Sequence, residues 1–132
     1  MQMGTDIEGF VRRIAEVCPE FSSVWLIGSR ANNTAHETSD WDLLAFGNKK
    51  ALACIRKHRE LHRPDVDFLV VTNGDVFINA WGNCDKTGSL SQWEWKQKSD
   101  VEAEYTEVKS SPGANYGNVA LKRRLGLRIW AR

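Results

Sequence analysis

Residues 26–46 read LIGSRANNTAHETSDWDLLAF, and the fold turns on this stretch. Val24 to Ile27 is a short apolar run ending at Gly28-Ser29, as a buried strand does when it runs into a turn. After ten intervening residues Asp40-Trp41-Asp42 opens a second apolar run, WDLLAF, which Gly47-Asn48 stops. Alternate residues of a strand share a face, so Asp40 and Asp42 point one way and Trp41 the other. Two carboxylates this close repel unless something cationic stands between them. A hard divalent ion does this well, because Mg²⁺ takes carboxylate oxygens and substrate phosphates together. Gly28 lets a phosphate approach the backbone closely. Ser29 adds a hydroxyl beside its N–H, and Arg30 can offer a guanidinium to phosphate oxygens.

Working outward, the segment PDVDFLVV from Pro64 supplies further acids. Val66 to Thr72 reads as a third strand, turned by Asn73-Gly74, and both Asp65 and Asp67 lie on the face shared with Leu69 and Val71. Spacing alone does not choose between them. Asp65 follows Pro64 at the frayed start of the strand, whereas Asp67 lies inside its regular part, where a side chain can be fixed against Asp40 and Asp42. A third acid beside an Asp pair suits a two-metal site, in which one ion lowers the pKa of an attacking hydroxyl and both clamp the transferring phosphoryl group.

Upstream, Thr5 and Glu8 make a capping box, and Ile7, Phe10, Val11, Ile14 and Val17 follow at helical spacing, predicting a helix over about 6–17. Residues 49–62 suit a second helix with Ala51, Leu52, Ile55 and Leu61 inward, ended by Pro64. The order helix, strand, strand, helix, strand describes an α/β fold, a mixed sheet with flanking helices. Beyond residue 75 the pattern weakens. Trp93 and Trp95 alternate with polar neighbours over 91–96, as in a half-buried strand, and 101–108 is expected to pair with it as a hairpin. Residues 118–130 are expected as a basic helix with Gly126 in its interior, and Ser110 to Gly113 as a hinge.

GSRANNTAHETSDWDLL resembles the signature of the DNA polymerase β-type nucleotidyltransferase superfamily, in its minimal nucleotidyltransferase branch. The family pattern is Gly-Ser, a spacer, Asp-x-Asp and a third Asp on a later strand, and the likeness covers about residues 20–72. It implies a polymerase β palm-like core in which Gly28 and Ser29 hold the β- and γ-phosphates of a nucleoside triphosphate. By the same resemblance Asp40 and Asp42 bind Mg²⁺, and Asp67 completes the site as the base for the acceptor hydroxyl. Two Mg²⁺ ions are implied, with Mn²⁺ as a substitute and ATP first among the donors. Asn32-Asn33 stands where relatives often carry Arg-Gly, and Trp41 where a small aliphatic is usual. Many relatives carry a helical substrate-binding domain after the core, and residues 81–132 do not read as one. An acceptor site supplied by a partner chain, as where minimal nucleotidyltransferases pair with HEPN-domain proteins, is the corresponding expectation.

Composition bounds the remainder. The chain has 132 residues, 42% of them hydrophobic and 27% charged, and a net charge of +1. That is the make-up of one globular domain over 1–132, with a core at about 5–80 and an extension over 81–132 carrying a hairpin and a basic tail. No apolar run approaches the ~20 residues of a membrane span. MQMGTDIEGF lacks the basic and apolar regions of a signal peptide, and Cys18, Cys54 and Cys84 offer no disulfide framework, so the expected location is cytoplasmic. Residues 49–63 and 115–132 are basic and 94–107 acidic, which reads first as solvated faces and only second as a nucleic-acid grip. His58 and His62 read as a solvated helix face, Cys54 as a small buried side chain, and Trp93 and Trp95 as hairpin packing. The expected activity is transfer of a nucleoside monophosphate from NTP to an acceptor hydroxyl of a small molecule, protein or RNA, with release of pyrophosphate. The alternative is a non-catalytic nucleotide-binding or antitoxin-like module.

Overall fold

The amphipathic N-terminal segment forms helix α1 (Thr5–Val17), which buries Ile7, Phe10, Val11 and Ile14. The structure is a computed structural model that describes residues 5–32, 40–81, 87–110 and 119–132; the side chains of Thr5, Ser29, 107–110 and 119–122 fall outside that description. Strand β1 (Ser23–Ile27) follows and runs into a one-turn helix, α2 (Gly28–Ala31), then β2 (Trp41–Phe46). The chain returns through α3 (Lys49–Lys57), which starts where Asn48 Oδ1 accepts the Ala51 N–H at 2.9 Å. Strand β3 (Val66–Val71) then lies parallel to β2, and a parallel neighbour requires such a crossover. The later strands are β4 (Val76–Asn79), β5 (Thr87–Ser89), β6 (Lys96–Gln97), β7 (Glu102–Ser110) and β8 (Val119–Ala131). Among the described residues they make one mixed sheet of order β5-β4-β3-β2-β1-β8-β7-β6.

Strand alternation divides the core in two. Val24, Leu26, Leu43, Ala45, Phe68 and Val70 face α1 and α3. Phe68 is fully buried there, with Phe10 and Phe21 meeting it edge-on at 6.2 and 5.8 Å between centroids. Trp25, Ile27, Leu44, Leu69 and Val71 face the other way and are covered by Phe77, Trp93, Trp95 and Tyr105. Asp42 and Asp67 belong by alternation to this second face, at the ends of β2 and β3 where its apolar cover begins.

Several expectations are corrected. The helix expected over 49–62 stops at Lys57, because His58 leaves helical geometry (φ −103°, ψ 61°); a single 3₁₀ turn, Arg59–Leu61, precedes Pro64. His58 and His62 therefore do not share a helix face: His58 Nδ1 lies 2.8 Å from Glu60, and His62 packs on Trp81. The strand expected over 91–96 is mostly turn, with only Lys96–Gln97 paired to β7. Trp93 and Trp95 both stack on Tyr105, so their period of two reflects a tight turn that delivers two rings to one cluster. The helix expected over 118–130 is β8, which pairs with β7 on one side and β1 on the other. Gly126, unfavourable in a helix, is suited to this strand, because a Cβ there would press on the Trp95 ring at 3.0–3.2 Å. Strands β4 and β5 carry too few residues to have been read from periodicity. The hinge expected at Ser110 to Gly113 falls, beyond Ser110 itself, outside the described residues.

Candidate active site

The site is built where β1 ends and β2 begins. Antiparallel pairing sets Ile27 opposite Asp42, so the next residue, Gly28, turns directly over the Asp42 side chain. Gly28 has φ +73°, a left-handed conformation that favours glycine. A Cβ on Gly28 would overlap the Asp42 carboxylate, so the turn and the acid are packed as a unit. Parallel pairing then sets Asp42 opposite Asp67 on β3. Neighbouring strands lie about 4.8 Å apart, which places two carboxylates side by side on one face.

The remaining expected residues are distributed differently. Asp40 is exposed, immediately before β2. Arg30 extends from α2 to the opposite side of β2, where its guanidinium lies over the Trp41 ring at 4.4 Å from the centroid. Ser29 stands in α2 beside Gly28, and its side chain is outside the description. Asp65 is taken up elsewhere: Arg63 Nε and Nη2 donate to its two oxygens at 2.9 and 2.6 Å, and Arg63 Nη1 reaches Asp6 of α1 at 2.8 Å. The hydrogen bonds from Arg63 hold the Asp65 carboxyl below the usual carboxylate range.

Three features escaped the sequence reading. Tyr105, 4% exposed on β7, accepts a hydrogen bond from the Gly28 N–H at 2.9 Å through its hydroxyl. Asn32 ties the end of the α2 turn to β8: its Nδ2 donates to the carbonyls of Gly28 (2.7 Å) and Leu125 (3.1 Å), and its Oδ1 accepts the Leu125 N–H at 2.8 Å. A cavity of about 570 Å³ opens beside Gly28 and Asp42, with Ile27 and Leu69 as its floor and Phe77, Trp93 and Tyr105 as its wall. Thr87 and Gln92 also line it. No local pattern announces these contacts, since Tyr105 meets a residue 77 positions away. Trp93, read from the sequence together with Trp95 as hairpin packing, also lines this cavity.

The donor set has the chemistry of a hard-cation site: two carboxylates in register, with a third exposed on the approach. Among the described residues, however, no group of three or more His, Cys, Asp or Glu side chains stands close enough together to hold a metal ion. The pair, not a triad, is therefore the unit that fits Mg²⁺ together with phosphate oxygens. Burial is the main cause pushing the Cys18 thiol up to about 12, which disfavours its thiolate. Cys54 is half-buried, with its thiol donating to the Val17 carbonyl at 3.4 Å. Among the described residues no helix is long and apolar enough to cross a membrane.

Residues 11–63 match the family model described as a nucleotidyltransferase domain. That match is consistent with the polymerase β-type nucleotidyltransferase superfamily and supports nucleotidyl transfer, with a nucleotide substrate, as the general activity. The matched segment includes Gly28, Ser29, Arg30, Asp40 and Asp42, and Asp67 lies just past it. No curated protein and no solved structure matches the chain.

Proposed function

We propose that this chain is a metal-dependent nucleotidyltransferase with a palm-like core, moving a nucleoside monophosphate from NTP to an acceptor hydroxyl and releasing pyrophosphate. The observation that carries this reading is the in-register pair Asp42 and Asp67, with Gly28 folded over Asp42. Asp42 and Asp67 would hold Mg²⁺, with Asp40 exposed on the approach to β2. Bound there, the ion supplies neutralisation of phosphate charge and polarisation of the phosphoryl group. Asp67, on the far side of Asp42 from the Gly28 turn, takes the proton of the acceptor hydroxyl as general base. The Gly28-Ser29 turn orients the triphosphate, and Asp42, buttressed by Gly28, keeps the donor fixed relative to that base. Positioning of this kind is the protein's share of phosphoryl-transfer catalysis. ATP is the first donor to try, and the acceptor is a small molecule, a protein side chain or an RNA end, presented by the extension or by a HEPN-type partner.

The test is pyrophosphate release, with label from α-labelled NTP appearing on an acceptor, in the presence of Mg²⁺ or Mn²⁺. Transfer that needs the divalent ion and disappears in Asp67→Asn supports the reading. Tight Mg-NTP binding with no transfer to small-molecule, protein or RNA acceptors would instead favour the non-catalytic nucleotide-binding module.

A further inference from the structure

The cavity beside the acidic pair is mostly apolar, although phosphate chemistry needs no apolar space. Its wall begins at the turn itself: the Tyr105 hydroxyl bonds the Gly28 N–H at 2.9 Å, Trp93 stacks on Tyr105 with centroids 5.3 Å apart, and Phe77 packs on Trp93 at 4.5 Å. An unbroken row of three rings thus leads away from the position assigned to the phosphates. Leu69 on the floor and Gln92 at the side complete a space of about 570 Å³, within the range of small-molecule sites. Gly28 and Asp42 line this space and Asp67 does not. In the proposed reaction Gly28 and Asp42 serve the donor and Asp67 the acceptor, so the cavity lies on the donor's side.

We infer that this aromatic cavity is the nucleobase subsite, taking the flat ring of the donor NTP against the wall of Phe77, Trp93 and Tyr105. The inference rests on the nucleotidyltransferase reading and adds to it. The segment beyond residue 81 supplies two of the three rings, so the extension helps to bind the donor. Aromatic rings recognise bases mainly through their π-faces, which every base has, so discrimination among the four bases falls to polar side chains such as Gln92 and Thr87.

The experiment compares the four Mg-NTPs with magnesium tripolyphosphate, which carries the phosphates and no base, by calorimetry and by tryptophan fluorescence. With the unaltered protein, at least one NTP is expected to bind at least about 10-fold more tightly than tripolyphosphate and to quench the fluorescence, as base–aromatic stacking requires. Trp93→Ala should remove most of that advantage while tripolyphosphate affinity stays the same, and Trp93→Phe should restore part of it. Tripolyphosphate binding as tightly as every NTP overturns the base subsite and leaves the phosphate site standing. So does a Trp93→Ala protein that keeps the full NTP advantage. Binding of neither ligand overturns the subsite and the nucleotidyltransferase reading together.

Discussion

At the scale of single residues, the decisive contrast is between Asp65 and Asp67, two acids of the same parity, one just before β3 and one inside it. Parity and the preceding proline were legible in the sequence; the partner of Asp65 was not, because Arg63 becomes bidentate only after the chain has turned at Pro64. Asp67→Asn is expected to slow nucleotidyl transfer by at least about 10²-fold, the low end of what a positioned base supplies, with the fold retained. Asp65→Asn should leave single-turnover rates near the parent's, and its effect should appear in acid. The Asp65 carboxyl is held below its ordinary range by Arg63, so its contribution is present above that range and lost as pH falls through the lowered value. The variant should therefore lose at most about 1 kcal/mol near neutrality and show a shallower fall in melting temperature between pH 5 and pH 2, as estimated for a half-exposed pair. Gly28 was read as a place for phosphate to approach, yet the volume of its missing Cβ is taken by Asp42. Gly28→Ala should consequently cost about 1–3 kcal/mol through overlap with that carboxylate, and weaken Mg-NTP binding in calorimetry. A variant as stable and as well bound as the parent would reduce Gly28 to an ordinary turn residue.

At the scale of elements, the parts with one clear period were legible and the parts defined by pairing were not. Helix α1 and strand β2 follow from apolar spacing alone. The segment 119–131 contains good helix formers, but β1 is a central strand with one side unfilled by β2, and the Leu127 to Ala131 end of β8 pairs there. That need is non-local, so propensity gives no sign of it. Gly126 marks the place: it faces Trp95, and Gly126→Val should force the ring outward and lower stability by about 1–3 kcal/mol, measured by urea denaturation. Unchanged stability would show that Trp95 moves freely. Asn32 is the corresponding hidden pin between the α2 turn and β8, since its amide satisfies both the N–H and the carbonyl of Leu125. It was noticed in the sequence only as a departure from Arg-Gly in relatives.

At the scale of the whole molecule, the charge blocks acquire a structural explanation. Glu104 of the acidic stretch and Arg123 of the basic one meet across β7 and β8, where Arg123 Nη2 donates to Glu104 at 2.6 Å and Lys98 approaches the same carboxylate at 3.7 Å. At the end of the basic tail, Arg132 caps carbonyls of Ala15 and Phe21 at 2.6 and 2.9 Å, closing the C-terminal strand onto α1. Arg123 thus ties β8 to β7, and Arg132 ties its end to α1. Strand β8 stands between β1 and β7 in one continuous sheet, so a chain ended after residue 110 should lose its cooperative melting transition and expose the apolar edge of β1. A truncated chain that melts cooperatively near the parent's temperature would make residues 111–132 an appendage. The central claim, that Gly28, Asp42 and Asp67 form a metal and triphosphate site, is tested most directly by thermal unfolding with Mg²⁺, with each of the four NTPs, and with both together. Ligands that bind only the folded chain raise its melting temperature, and the rise grows with the logarithm of ligand concentration above Kd. The account predicts a rise with Mg²⁺ and NTP together that exceeds the sum of the separate effects. A melting curve unmoved by saturating Mg-NTP, for all four nucleotides, would contradict it.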